Sequence, residues 1–132
     1  MAEHPNQVLV RRGFQAFNEG DMVTLTELIA DDAVQLMPGN NMFSGEHKGR
    51  DAILGMYAEI FQETGGTFRA ELQAVYANDQ MALAIYRGTG TRGTKVVDQR
   101  NALLFEILDG MAVRLTDMPE DISAWDEFLA DS

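Results

Sequence analysis

Few side chains in this sequence combine a suitable type with a suitable setting for proton chemistry. His47 lies between Gly45 and Gly49 in a glycine-bounded segment that could swing. An imidazole titrates near neutral pH, which makes His47 a candidate general acid or base. His4 stands near the start, in no such setting. Asp98 and Arg100 are two apart in a strand-like run, so they share a face and could form an ion pair. Asp117 sits late in the last strand-like run, where alternation makes it a solvated rim charge; a bulge would be needed to turn it inward. Arg87, Arg92, Lys95 and Arg100 gather the bases, while six acids lie between Asp117 and Asp131. The bases could hold an anionic ligand or simply pair with those acids.

Other chemistry is excluded by what is missing. The chain has no cysteine, hence no disulfide, no thiolate metal site and no cysteine nucleophile. Two histidines leave little for zinc, and no metal or cofactor is expected. The 132 residues carry 21 acids against 10 bases, a net charge of −11, so nucleic-acid phosphates and anionic membranes would repel the chain. At 45% hydrophobic residues and this length, one domain over residues 1–132 is expected. No run approaches the ~20 apolar residues of a membrane span. The start, MAEHPNQVLVRRGF, lacks the basic-then-apolar order of an export signal. A cytoplasmic protein is the expectation, and the missing cysteine suits a reducing compartment.

The elements that must position these groups follow from periodicity. Val10, Phe14 and Phe17 recur at helical spacing over about Pro5–Asn18, and Gly20 suits a left-handed helix end. Asp21 can cap a short helix carrying Leu25, Leu28 and Ile29. Ala33–Met37 reads as a strand stopped by Pro38-Gly39, followed by a loop from Gly39 to Gly49. A third helix runs over about Arg50–Glu63, with Ile53, Met56, Tyr57, Ile60 and Phe61 on one stripe. Four strands follow: Phe68–Tyr76, Met81–Thr91, Val96–Leu108 and Met111–Met118. The last two are joined at Asp109-Gly110, a strong hairpin signal. Ser123 can cap a short terminal helix docked by Trp125, Phe128 and Leu129.

Helices first and strands later, joined by short turns, imply an α+β fold with helices on one face of a curved, mainly antiparallel sheet. Met81–Ile85 and Leu103–Phe105 are apolar on both faces. One face can meet the helices. The other needs a second cover, and a homodimer through the open sheet face supplies it.

The order and punctuation of these elements resemble the nuclear transport factor 2-like superfamily, most closely its SnoaL-like branch. The residues carrying the likeness are Asn18-Glu19-Gly20-Asp21, Leu28–Val34, Pro38-Gly39, Ser44-Gly45, Gly49–Ile53, Thr64–Phe68, Asp109-Gly110 and Asp121–Phe128. The resemblance implies a cone-shaped α+β roll: three N-terminal helices, a bent sheet, a short C-terminal helix and a pocket open at one end. Such pockets take small, largely apolar, polyketide-like molecules, and the family includes isomerases, cyclases, dehydratases, epoxide hydrolases and non-catalytic binders.

Ketosteroid isomerase relatives use an aspartate base with a tyrosine and a protonated aspartic acid as oxyanion donors. Laid on their pattern, the tyrosine becomes Gly13, the base Met37 and the second aspartate Leu103. None of these moves a proton. The first-strand histidine of many SnoaL-like relatives is also absent from Val34–Met37, and Tyr86 stands where a second is frequent. Asp98 with Arg100 matches the carboxylate–guanidinium pairing of epoxide-hydrolase relatives, but by parity both face outward. Alternation guided by the family gives an expected pocket lining of Gln35, Met37, Tyr57, Ala84, Tyr86, Gln99, Asn101, Leu103, Phe105, Thr116 and Met118. That set has no carboxylate or imidazole, so the sequence favours binding of a small apolar molecule over isomerisation. The alternative is acid/base catalysis by Tyr86, Asn101 or Asp117, with His47 as a mobile partner.

Overall fold

A computed structural model describes residues 3–131. Helix α1 (Pro5–Glu19) begins where a proline fits the first turn. His4 caps it: its Nδ1 accepts from the Asn6 N–H, and the Gln7 side chain accepts from the His4 N–H. With Nδ1 accepting, Nε2 carries the proton and donates to Asp79 at 2.7 Å. His4 is therefore a structural tie between α1 and a distant turn. Gly20, at φ 69°, closes α1 in the left-handed conformation that the Asn-Glu-Gly run suggests.

Helix α2 (Met22–Leu28) follows, capped by Asp21, whose carboxylate accepts from the Thr24 N–H at 3.1 Å. Strand β1 (Ile29–Met37) starts at Ile29, which the periodicity placed in the helix. The expected loop from Gly39 to Gly49 contains a further strand, β2 (Gly45–Lys48), antiparallel to the end of β1. Four polar or glycine residues hide it, because an exposed edge strand lacks apolar alternation. Then come α3 (Arg50–Glu63), β3 (Arg69–Ala77), β4 (Met81–Arg92), β5 (Lys95–Leu108), β6 (Met111–Pro119) and α4 (Ile122–Leu129). Asp121, and not Ser123, caps α4 by accepting from the Ala124 N–H at 3.0 Å. Asp126 instead accepts from the Asn40 N–H and the Asn41 side-chain amide, which ties α4 to the turn after β1.

The six strands form one sheet in the order β2-β1-β6-β5-β4-β3. Only β1 and β6 run parallel; every other neighbouring pair is antiparallel. The fold is the α+β roll that the sequence implies. Its core lies between the helices and the inner sheet face, with Val10, Ile53, Ala33 and Ala84 fully buried.

Two local features shape the inner face. In β6, Glu106 faces Arg114 across the ladder while Ile107 faces Ala112, so Val113 is an extra residue. This bulge reverses the alternation: Ala112 is buried before it, and Leu115 and Asp117 are buried after it. In β4, Gly88 and Gly90 lie under Phe68. A Cβ at Gly90 would come within 3.2 Å of that ring, and one at Gly88 within 3.0 Å of the Asn101 amide. The glycines let the ring and the amide approach the strand backbone.

The free edge of β3 is closed by side-chain amides of α1. Asn18 donates to the Ala70 carbonyl and accepts from the Ala70 N–H, both at 2.8 Å, as a neighbouring strand would. Asn6 donates to the Asn78 carbonyl and Gln7 to the Val75 carbonyl. Replacing Asn18 with Ala removes two hydrogen bonds from a half-buried site. The expected loss is about 2 kcal/mol, measured as a lower midpoint in chemical denaturation. A variant as stable as the parent would show that the clamp contributes nothing.

Candidate functional site

The helical stripe read in α1 builds the site's aromatic walls. Phe14 packs on Tyr86 of β4, with centroids 5.2 Å apart, and Phe17 meets Tyr57 of α3 edge-on at 5.2 Å. Phe17 also touches Phe68, which packs on Trp125 of α4. Each tyrosine is thus held by one phenylalanine, so its hydroxyl position is set by packing.

These walls enclose a cavity of about 90 Å³ between helices and sheet. Its surface is overwhelmingly apolar. The residues with polar side chains among its lining are Gln35, Tyr57, Tyr86, Asn101 and Asp117. Asp117 is the single carboxylate among the described lining residues, and no histidine or basic residue joins it.

Asp117 is 7% exposed. The Tyr86 hydroxyl donates to its Oδ1 at 2.8 Å. Burial pushes the carboxyl up from 3.8 to about 6, although the hydrogen bonds from Tyr86 and from the Met118 backbone pull the other way. Tyr86 is raised well above its ordinary value, by burial first and then by the nearby Asp117 charge; a hydrogen bond with Asn101 offsets this in part. Tyr86 therefore stays protonated and serves as a donor. Tyr57 is also pushed up, by burial and then by Asp117, and its hydroxyl donates to Gln35 Oε1 at 2.5 Å. The Gln35 amide in turn approaches the Met37 sulfur at 3.5 Å. Two neutral phenols thus flank one carboxyl that titrates close to physiological pH. Such a group can accept or return a proton inside an apolar enclosure.

The cavity brings together Gln35, Met37, Tyr57, Tyr86, Asn101, Leu103 and Phe105. The remaining expected members lie elsewhere. Ala84 is buried in the core beside the cavity. Gln99 is buried, and its Oε1 accepts from the Asp121 N–H at the start of α4. Thr116 and Met118 belong to the outer sheet face, and Met118 is 43% exposed; the β6 bulge reverses their parity and puts Leu115 and Asp117 inside. His47 is not a mobile loop residue. It sits in β2 opposite Gln35, and its Nε2 donates to the Phe43 carbonyl at 2.7 Å, outside the cavity lining. Sequence reasoning missed Phe14, Phe17, Phe68 and Trp125 as walls, although their helical and alternating spacing marked them as buried.

The charged candidates have other partners. Asp98 pairs across the strands with Arg87, at 2.5 Å, and not with Arg100. Arg100 and Asp98 do share the outer face, but Arg87 reaches Asp98 diagonally from β4. Arg92 bridges Glu63 and Asp131. Lys95 donates to the Glu127 and Ala130 carbonyls. Those two bases fasten the end of α4 to the sheet. Among the described residues no cluster of three or more His, Asp or Glu could hold a metal ion.

A SnoaL-like domain model matches residues 10–115. The chain belongs to the SnoaL-like domain family. An uncharacterised protein of Mycobacterium tuberculosis is 34% identical over 131 residues, covering 98% of this chain and all of that one. Among solved structures, Bal32a from a soil-derived mobile gene cassette is 41% identical, with a TM-score of 0.93 over 96% of this chain and 97% of its own. A candidate SnoaL-like polyketide cyclase from Jannaschia sp. CCS1 shares the fold at a TM-score of 0.81 and 14% identity, over 100% and 99% of the two chains. In this SnoaL-like chain, the positions matched to the ketosteroid isomerase groups, Gly13, Met37 and Leu103, all line the cavity. The carboxylate arrives instead from β6.

A raised carboxyl pKa makes folding depend on pH. Between about pH 4 and 6 the folded chain holds a proton on Asp117 that the unfolded chain releases, so stability falls as pH rises through this window. Above it, ionised Asp117 costs roughly 2–3 kcal/mol. Asp117→Asn can still accept from Tyr86 and never ionises. Its stability relative to the parent is expected to rise from pH 4 to pH 6.5, read from denaturation midpoints at each pH. A constant difference across that range would show that Asp117 has an ordinary pKa.

Proposed function

We infer that this SnoaL-like protein is an acid/base enzyme acting on a small, largely apolar carbonyl compound of polyketide type. The observation that carries this reading is Asp117, a lone hydrogen-bonded carboxyl buried in an apolar cavity with its pKa raised to about 6. A pure binding pocket has no need of such a group, since burying a carboxyl is unfavourable and a neutral amide would hydrogen-bond as well. This shifts the balance from the binding role favoured by the sequence to the catalytic alternative. The likeness to a candidate polyketide cyclase adds support at the level of fold.

In the reaction, ionised Asp117 removes a proton from carbon beside a carbonyl, giving an enolate, and the protonated carboxyl then protonates the enolate, either at a second position or at the same carbon after exchanging its proton with water. Tyr86 holds the carboxylate in place and stays protonated. Tyr57, oriented by Gln35, presents its hydroxyl to the same space. A base of this strength needs an activated proton. A carbon between two carbonyls, the repeating unit of a polyketide chain, meets that need far better than one beside a single ketone. The cavity, at about 90 Å³, is smaller than the ~150 Å³ engineered cavity that admits benzene. It suits the reacting end of a molecule, and a polycycle would require the walls to move.

Deuterium exchange tests this directly. Ethyl acetoacetate in D₂O, followed by proton NMR, is expected to exchange its central methylene faster with the protein than without it. The rate should rise with pH through about 6, and Asp117→Asn should lose ~100-fold or more. Exchange no faster than buffer, or equal in parent and variant, would remove the catalytic reading.

The reading also has two chains pairing through the outer sheet face, in the cytoplasm. Leu83, Leu104, Thr116 and Leu36 form one cross-strand row there, and Ile85, Ala102 and Met118 form the next. The Arg87–Asp98 and Arg114–Glu106 pairs lie beside these rows, which is the layout of an apolar interface centre with a polar rim. Analytical ultracentrifugation at micromolar concentration is expected to give twice the 14.6 kDa chain mass, and Leu104→Arg to give the chain mass alone. A monomeric parent would contradict the pairing.

A further inference from the structure

Asn101 stands directly opposite Tyr86 on the neighbouring strand β5, and both side chains are buried in the cavity lining. The backbone decides which way round its amide lies. Oδ1 accepts from the Glu120 N–H at 3.2 Å, so the donor end, Nδ2, points elsewhere. Nδ2 lies over Gly88, within 3.0 Å of where a Cβ would stand, and any larger residue there would push the amide away. The hydrogen bond between Asn101 and Tyr86 therefore runs from Nδ2 to the phenolic oxygen. Tyr86 agrees with this direction. Its one proton is given to Asp117 at 2.8 Å, so toward Asn101 it can only accept.

The result is a chain with one polarity: Glu120 N–H to Asn101, Asn101 to Tyr86, Tyr86 to Asp117. Asp117 receives its own hydrogen bonds from Tyr86 and from the Met118 backbone, so Asn101 meets it through the phenol. Tyr57 of α3 is the other titratable group facing Asp117. β5 and α1 present Leu103 and Phe14 to the cavity, and neither titrates.

We propose that Asn101 is a positioning residue that fixes the Tyr86 hydroxyl as a one-way donor to Asp117. With the amide on its oxygen, the phenol cannot turn to accept from a protonated Asp117. Oδ1 is already held by Tyr86, so the proton that Asp117 takes from carbon is carried on Oδ2 and stays available to the enolate. This consequence deepens the functional reading and rests on it. The chain of hydrogen bonds itself needs no substrate.

Carbon-13 NMR of the Asp117 carboxyl in four full-length chains tests the proposal: the parent, Asn101→Leu, Tyr86→Phe and the double variant. Asn101→Leu is expected to raise the Asp117 midpoint by about 0.5–1 pH unit, because the phenol then donates less well to the carboxylate. In the Tyr86→Phe background the same replacement is expected to move it by less than ~0.2 pH unit, since the link has already gone. Asn101→Ala gives the same comparison if the leucine variant does not fold. A midpoint unmoved by loss of the amide would overturn the proposal. So would an equal movement with and without the Tyr86 hydroxyl, which is what a merely structural amide produces. The titration decides the role of Asn101 even if the parent fails to exchange ethyl acetoacetate. Where exchange is present, its pH profile is expected to move upward with the midpoint.

Discussion

A single extra residue in β6 determines what the cavity can do. Val113 interrupts the ladder with β5, and every side chain beyond it changes face. Without that bulge, Thr116 and Met118 would point inward and the cavity would have no ionisable carboxyl. With it, Leu115 closes the apolar wall and Asp117 enters the space beside Tyr86. Regular alternation would leave an apolar cavity with only neutral hydrogen-bonding groups; the bulge adds a carboxyl to it.

The rest of the architecture makes that carboxyl tolerable and useful. Phe14 and Phe17, one helical turn apart on α1, each fix a tyrosine. Tyr86 then stabilises the charged form of Asp117, while the apolar surroundings destabilise it more. The balance leaves the group near the midpoint of its titration at mildly acidic pH. α1 can serve as a wall because its own ends are secured: His4 and Gln7 at the start, Gly20 at the finish, and Asn18 against the edge of β3. α4 closes the other side, held by Asp121, Asp126, Arg92 and Lys95. The excess of acid over base is thus used in part structurally, in caps and ties around an apolar interior.

Most of the fold was legible because its signals are local. The stripe Val10, Phe14, Phe17 marks α1, Arg50–Glu63 marks α3, and the Asp109-Gly110 turn fixes the β5–β6 hairpin. Strand β2 was not, since an edge strand with the sequence Gly-Glu-His-Lys carries no hydrophobic alternation. Alternation read the cavity lining on β1 and most of β5, where Gln35, Met37, Asn101, Leu103 and Phe105 reach the cavity and Gln99 does not. It failed on β6 because a bulge at a valine has no composition cue; valine is as natural in a regular strand as in a bulge. The partners of charged groups were also out of reach. Asp98 has Arg100 two residues away in sequence, yet Arg87 meets it across the ladder. His47 reads as a free loop histidine until the β1–β2 pairing places it.

One property decides the chemistry: burial raises the carboxyl of Asp117 from the ordinary aspartate range to about 6. Carbon-13 NMR of the side-chain carboxyls, assigned for Asp117 and followed from pH 3 to pH 8, measures this without any substrate. A midpoint near 6 is expected for Asp117. A midpoint near 4, that of a solvated carboxylate, would contradict it and leave the cavity an apolar space with nothing in it to move a proton.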